Sequence, residues 1–130
     1  MPVKIKRGES VFMKILICDD SMLVRKKVSA SLKALGIAEV CEAADGEQAV
    51  EMYKKESPDL TLMDIVMPKI NGVDALKAIL AVNPKAKVVM ASSVGTQENL
   101  KEAIMAGAYD FLQKPISEDQ LKELVEKASK

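Results

Sequence analysis

Along the chain, short apolar runs alternate with longer segments whose apolar positions recur every three or four residues, and the alternation repeats five times. The runs at 13–18, 38–43, 59–63, 86–91 and 109–112 predict strands. Several are apolar without alternation, the pattern of parallel strands covered on both faces. Start and stop residues place the helices. Ser21 caps a helix through Leu35 that Gly36 stops, with Leu23, Val28 and Leu32 turned inward. Asp45 caps a helix over 47–55 that Ser57-Pro58 ends, and Gly72 precedes one over 73–82 that breaks at Asn83-Pro84. A fourth helix runs from about Thr96 to Met105 and stops at Gly107, and Ser117 with Gln120 makes a capping box for a fifth, from Glu118 to about Ala128. Five right-handed βα units predict an α/β architecture, a three-layer doubly wound (βα)5 sandwich around a parallel five-stranded sheet.

A chain of 130 residues fits one domain, with room for a single core and none for a second module. The first eleven residues are basic and polar and read as a flexible N-terminal extension, leaving 12–130 as the domain. No apolar run suits a signal peptide or a membrane span, so a cytoplasmic location is expected. Acidic and basic residues balance at 19 each, which removes a global field favouring nucleic acid or an anionic membrane. Cys18 and Cys41 form no CxxC pair and are expected as reduced, buried thiols. The chain has no histidine, which excludes Ser/His and Cys/His nucleophiles, most zinc sites and a phosphohistidine carrier role. Its chemistry must run on carboxylates, hydroxyls and lysines.

In open α/β sheets ligands bind beyond the carboxyl ends of the strands. Strand one ends in Asp19-Asp20, strand three in Asp64, strand four in Ser92-Ser93 and strand five in Lys114-Pro115. Crowded carboxylates repel one another unless a cation neutralises them, and an all-oxygen set with few ligands favours Mg²⁺. Asp20 and Asp64 would ligate directly, Asp19 directly or through water, and the Val66 carbonyl would supply a backbone ligand. A surface turn is the plain alternative for Asp19-Asp20, and a solvated charge for Lys114. Beside a metal and an ammonium, Asp64 can attack phosphorus to form an acyl phosphate. Lys114 would pair with Asp64 at rest and with a phosphate oxygen afterwards, Ser92 would hydrogen-bond another oxygen, and the Lys114-Pro115 bond permits a cis peptide.

Four segments carry a resemblance: ILICDDS at 15–21, LMDIVMPKING at 62–72, VVMASS at 88–93 and AGAYDFLQKPI at 106–116. From about Met13 to Lys127 the chain resembles the response-regulator receiver family. That resemblance implies a flavodoxin- or CheY-like fold with strand order 2-1-3-4-5, Mg²⁺ dependence, and phosphoryl transfer from a sensor histidine kinase to Asp64. It implies a switch pair, Ser92 and Phe111, in which the aromatic ring rotates as phosphate draws the hydroxyl inward, reshaping a surface for a downstream target protein. Alternation puts Tyr109 on the strand face of Phe111, and helical spacing puts Lys101 and Met105 opposite inward Leu100 and Ile104, so Lys101, Met105, Tyr109 and Phe111 are the expected docking patch. Ordinary exposed surface is the alternative. Two departures stand out. Val66 and Val94 occupy positions where many members carry polar groups that orient water, which implies slow self-dephosphorylation and an external phosphatase. Gly95 would loosen the loop before the fourth helix.

A phosphatase or phosphomutase working through an aspartyl phosphate is the enzymatic alternative, but Asp64 is followed by Ile65 and Val66 where such enzymes place a second Asp. A flavodoxin-like binding module would need a hydroxyl- or glycine-rich loop in place of Asp19-Asp20-Ser21. A phosphorylation-independent scaffold would have lost an acidic residue or the lysine. A stand-alone regulator acting by docking, as in chemotaxis, is the expected form; a receiver domain excised from a larger regulator is the second. The chain would be a monomer or a phosphorylation-dependent dimer.

Overall fold

The computed structural model describes residues 11–93 and 97–129. Along it alternate β1 (Val11–Cys18), α1 (Met22–Ala34), β2 (Ile37–Ala43), α2 (Gly46–Glu56), β3 (Leu60–Asp64), α3 (Gly72–Val82), β4 (Val88–Ser92), α4 (Gln97–Ala106), β5 (Asp110–Gln113) and α5 (Glu118–Ala128). All pairings are parallel and the order is β2-β1-β3-β4-β5, as expected.

The central strands β3 and β4 lack an apolar/polar alternation because they are buried at every position, whereas the edge strands β2 and β5 are partly exposed. Met13, Ile15 and Ile17 of β1 join Val28 and Leu32 of α1 and Leu121, Leu124 and Val125 of α5 in one cluster. Leu16 and Cys18 turn the other way, onto Ala49 and Tyr53 of α2, Val73, Leu76 and Ile79 of α3 and Ala103 of α4. Leu32 and Leu76 are wholly buried, and truncating either to alanine would cost about 2–5 kcal/mol.

The caps act as their side chains dictate. Ser21 Oγ accepts from Val24 N at 3.2 Å, Asp45 Oδ1 from Gln48 N at 2.8 Å, and Ser117 and Gln120 close the expected box. Gly36, at φ 91°, takes the left-handed turn after α1. Asn71, not Gly72, caps α3, its Oδ1 accepting from Asp74 N at 2.9 Å. Gly72 is the first helical residue because α3 starts against the backbone of β3: a Cβ there would lie 2.1 Å from the Asp64 carbonyl oxygen.

Several expectations shift. β3 and β4 run one residue further than predicted, so Asp64 and Ser92 are themselves the last strand residues, paired with Ala91 and Gln113. Leu23 is 82% exposed instead of inward, since the inward stripe of α1 runs through Val24, Val28 and Leu32. The strand β1 begins at Val11, the last position of the expected extension; residues 1–10 lie outside the described residues, as do Val94, Gly95 and Thr96. Cys18 and Cys41 are free thiols, the first buried and the second half-buried, and burial drives the Cys18 thiol far above its ordinary range. Among the described residues no helix is long and apolar enough to cross a membrane.

Candidate functional site

Parallel strands whose carboxyl ends are in register end on one rim, so the residues that follow them meet there. Asp64 closes β3, Asp19 and Asp20 follow β1, and Lys114 follows β5. Carboxylate oxygens of Asp19, Asp20 and Asp64 all lie within 4.8 Å of one another. Asp19 and Asp64 are buried, whereas Asp20 faces solvent.

Lys114 enters from the other side. Its Nζ donates to Asp19 Oδ2 at 2.8 Å and to Asp64 Oδ2 at 3.4 Å, so the expected partner at rest, Asp64, is the more distant of two. The reason is local: Asp19 Oδ1 accepts from Ser21 N at 2.9 Å, which orients Oδ2 toward the ammonium. The Lys114–Pro115 peptide is cis, as the sequence permits. Lys114 N donates to the Ser92 carbonyl at 2.7 Å, tying the ends of β4 and β5 together.

Burial raises the Asp64 carboxyl above its ordinary range; the Lys114 charge opposes this, while Asp19 and Asp20 reinforce it. For Lys114 burial pulls downward, but the hydrogen bond to Asp19 and the charges of Asp64 and Asp19 outweigh it, so the ammonium holds its proton above its ordinary value. Three carboxylates against one ammonium leave excess negative charge on hard oxygen donors, a set that fits a hard divalent cation. Among the described residues, the carbonyls of Ile65, Pro68 and Asn71 in the segment after Asp64 accept from the backbone amides of Gly72, Gly46 and Ala75. The Val66 side chain is 60% exposed at the lip of the site.

The switch and docking candidates divide. Ser92 is buried at the rim, and Phe111 is half-exposed on β5. Met105 and Lys101 are exposed on α4, as expected. Ile104 is not inward but 48% exposed, because the buried residue of α4 is Ala103 and the helix is phased on it. Tyr109 does not share a face with Phe111. It precedes β5, escapes the strand's alternation, and packs against the cluster beneath α5, its ring 5.0 Å from Lys127 Nζ and 5.6 Å from Lys87 Nζ.

Two features escape sequence reasoning. Arg25 Nη1 donates to the Asp19 carbonyl at 2.7 Å and its Nε to Glu42 Oε1 at 3.0 Å, while Lys26 Nζ takes Glu42 Oε2 at 2.9 Å. Burial works to raise the Glu42 carboxyl, yet the hydrogen bonds from Lys26 and Arg25 hold it below its ordinary range. Gly46 donates to the Pro68 carbonyl at 3.3 Å, and a Cβ there would lie 1.9 Å from the Ile70 carbonyl oxygen. Lys69, at φ 67°, reaches back to Asp45 and Glu47, at 3.6 Å each. The helix signal around Asp45-Gly46 was readable; its contact with residues 68–70 was not.

Residues 15–126 match the family described as response regulator receiver domain. The chemotaxis protein CheY of Thermotoga maritima is 40% identical over 90% of this chain and 98% of its own length, and that of Bacillus subtilis 43% identical over 88% and 95%. The protein-glutamate methylesterase/protein-glutamine glutaminase of Archaeoglobus fulgidus is 44% identical over 79% of this chain but 30% of its own length. Among solved structures, the Borrelia burgdorferi CheX-CheY-BeF3-Mg²⁺ complex contains a chain that superposes with a TM-score of 0.80 at 32% identity, over 87% of this chain and 86% of that one. A receiver domain protein from Clostridium thermocellum gives 0.85 at 27% identity, over 90% and 94%.

Proposed function

The chain belongs to the response regulator receiver family, and from that premise we propose that Asp64 is the phosphoryl acceptor of a phosphorylation-activated regulator in a two-component system. The observation that carries the proposal is a partly neutralised cluster: Asp64 ends a wholly buried strand with two carboxylates and one ammonium around it.

The donor is a phosphohistidine of a sensor histidine kinase. A carboxylate oxygen of Asp64 forms a bond to phosphorus as the bond from phosphorus to the imidazole nitrogen breaks, and the electron pair stays with the imidazole. Asp19, Asp20, Asp64 and the Val66 carbonyl would hold Mg²⁺, which supplies neutralisation of the phosphoryl oxygens. Lys114 holds Asp64 Oδ2 at rest, leaving the other oxygen to attack, and pairs with the transferred group afterwards. Ser92 donates its hydroxyl to that group. Its displacement lets Phe111 turn inward, changing the surface of Phe111, Lys101 and Met105, with Tyr109 at its α5 border, where a downstream target protein docks. The apolar Val66 side chain offers no group to orient water, so self-dephosphorylation is slow and an external phosphatase supplies the faster reset. On this reading the protein catalyses its own phosphorylation and dephosphorylation and nothing else.

The naming of several relatives as chemotaxis proteins supports a stand-alone cytoplasmic regulator in chemotaxis. A receiver within a larger regulator is favoured by one observation, the match to under a third of the methylesterase. Incubation with acetyl phosphate, with and without Mg²⁺, followed by intact mass measurement tests the chemistry. One phosphoryl adduct on the wild type, dependent on Mg²⁺ and absent from Asp64→Asn, is the expected result. An adduct on the variant, or one formed without the metal, would sink the mechanism.

A further inference from the structure

Arg25 stands one turn into α1, on the side facing the edge strand β2. Its side chain is 14% exposed and its guanidinium joins two things that would otherwise be independent: the Glu42 carboxylate of β2, itself 24% exposed, and the main-chain carbonyl of Asp19. That carbonyl belongs to the peptide between Asp19 and Asp20, the turn that carries two of the three clustered carboxylates. The turn has three further ties, Asp19 N to the Ala43 carbonyl at 3.1 Å, Ser21 N to Asp19 Oδ1 at 2.9 Å and Lys114 Nζ to Asp19 Oδ2 at 2.8 Å. None of them bonds the Asp19 carbonyl. A planar fork with several donors is suited to hold a carbonyl and a carboxylate at once, and Lys26 completes the second oxygen of Glu42.

We propose that Arg25, held by Glu42, is a positioning residue for the divalent-cation site, fixing the Asp19–Asp20 turn so that both carboxylates face Asp64. The proposal rests on the Mg²⁺ reading of that cluster and adds to it residues outside the ligand set. Removing an outer partner that orients ligands costs about 10–100-fold in metal affinity in comparable sites. Plain electrostatics predicts the opposite sign, because deleting a positive charge near a cation site should tighten cation binding. A purely structural role predicts lower stability at unchanged affinity.

The test is calorimetric titration with Mg²⁺, paired with thermal melting in chelator, for the wild type, Arg25→Met, Arg25→Lys, Glu42→Ala and the double variant Arg25→Met/Glu42→Ala. Positioning predicts Mg²⁺ binding weakened about tenfold in Arg25→Met, partial recovery in Arg25→Lys, and a double variant no weaker than Arg25→Met alone. Unchanged or tighter binding in Arg25→Met overturns the proposal, and additive losses overturn the role of Glu42. Should Arg25→Met fail to fold, Glu42→Ala carries the same prediction with a smaller loss, and unaltered affinity there is equally fatal. A wild type that binds no Mg²⁺ removes the parent reading as well, whereas a binding wild type with indifferent variants removes this one alone.

Discussion

Replacing Asp64 with asparagine should stabilise the metal-free protein. With an effective dielectric constant of about 20, a like pair costs about 3.5 kcal/mol at 4.8 Å, the widest separation within the cluster, and Lys114 at 3.4 Å returns about 5 kcal/mol. Asp64 has two like neighbours and one opposite, so repulsion exceeds attraction by about 2 kcal/mol, and solvent screening of exposed Asp20 reduces this to about 1 kcal/mol. Asparagine keeps an oxygen for Lys114 and sheds the charge. For a chain of this size the gain is about 4 °C in Tm. The effect carries a pH signature. Burial first, then the neighbouring carboxylates, hold the folded Asp64 carboxyl above its ordinary value, so the wild type loses stability as pH rises from the ordinary carboxyl value through the raised one. The difference between variant and wild type therefore opens across that interval and closes below it, where Asp64 is protonated in both states. Excess Mg²⁺ should reverse the order, since the wild type gains binding energy that the variant lacks. Thermal melts followed by circular dichroism, in chelator and in Mg²⁺ across acid and neutral pH, make the comparison. A lower melting temperature for Asp64→Asn in chelator at neutral pH would refute the reasoning, because attraction to Lys114 would then outweigh repulsion and burial together.

Three further changes probe the surroundings. Lys114→Met should lower metal-free stability by about 2–3 kcal/mol, because buried Asp19 loses its cation, yet tighten Mg²⁺ binding in titration; weaker binding would show that the ammonium organises the site. Gly46→Ala should cost about 3 kcal/mol or more in denaturant unfolding, since its Cβ would fall 1.9 Å from the Ile70 carbonyl oxygen; near-wild-type stability would mean that the loop yields without strain. Val66→Asn places an amide at the lip and should shorten the life of the Asp64 phosphate severalfold, followed by mass against time; unaltered decay would remove the account of its persistence.

The residues that matter most for the chemistry were legible because strand ends are. A run such as LTLMD stops being apolar at Asp64, and the parallel topology does the rest by bringing every such stop to one rim. Caps were legible for a similar reason, being decided within four residues by one side-chain oxygen. What could not be read depends on contacts between segments distant in sequence. Arg25 and Glu42 look like solvated charges until α1 packs beside β2 and leaves them half-sequestered. Gly46 looks like an ordinary early helix residue until residues 68–70 cross it. Leu23 and Ile104 were assigned inward by their apolar nature, but the inward stripe of α1 runs through Val24 and Val28, and α4 buries Ala103 instead. Tyr109 was placed by an alternation that begins only at Asp110.

The strand that ends in Asp64 is buried at all five positions and hydrogen-bonded to a neighbour on each side. β4 shares both features, so in deuterium exchange these two central strands should label more slowly than the edge strands β2 and β5. Asp64 thus stands on a central strand buried throughout, while Asp20 and Val66 face solvent and Phe111 of β5 is half-exposed. Of the two edge strands, each with a hydrogen-bonded neighbour on one side only, β5 is the shorter at four residues against seven. If Asp64 is phosphorylated as proposed, a rise in β5 labelling with β3 unchanged is the expected trace.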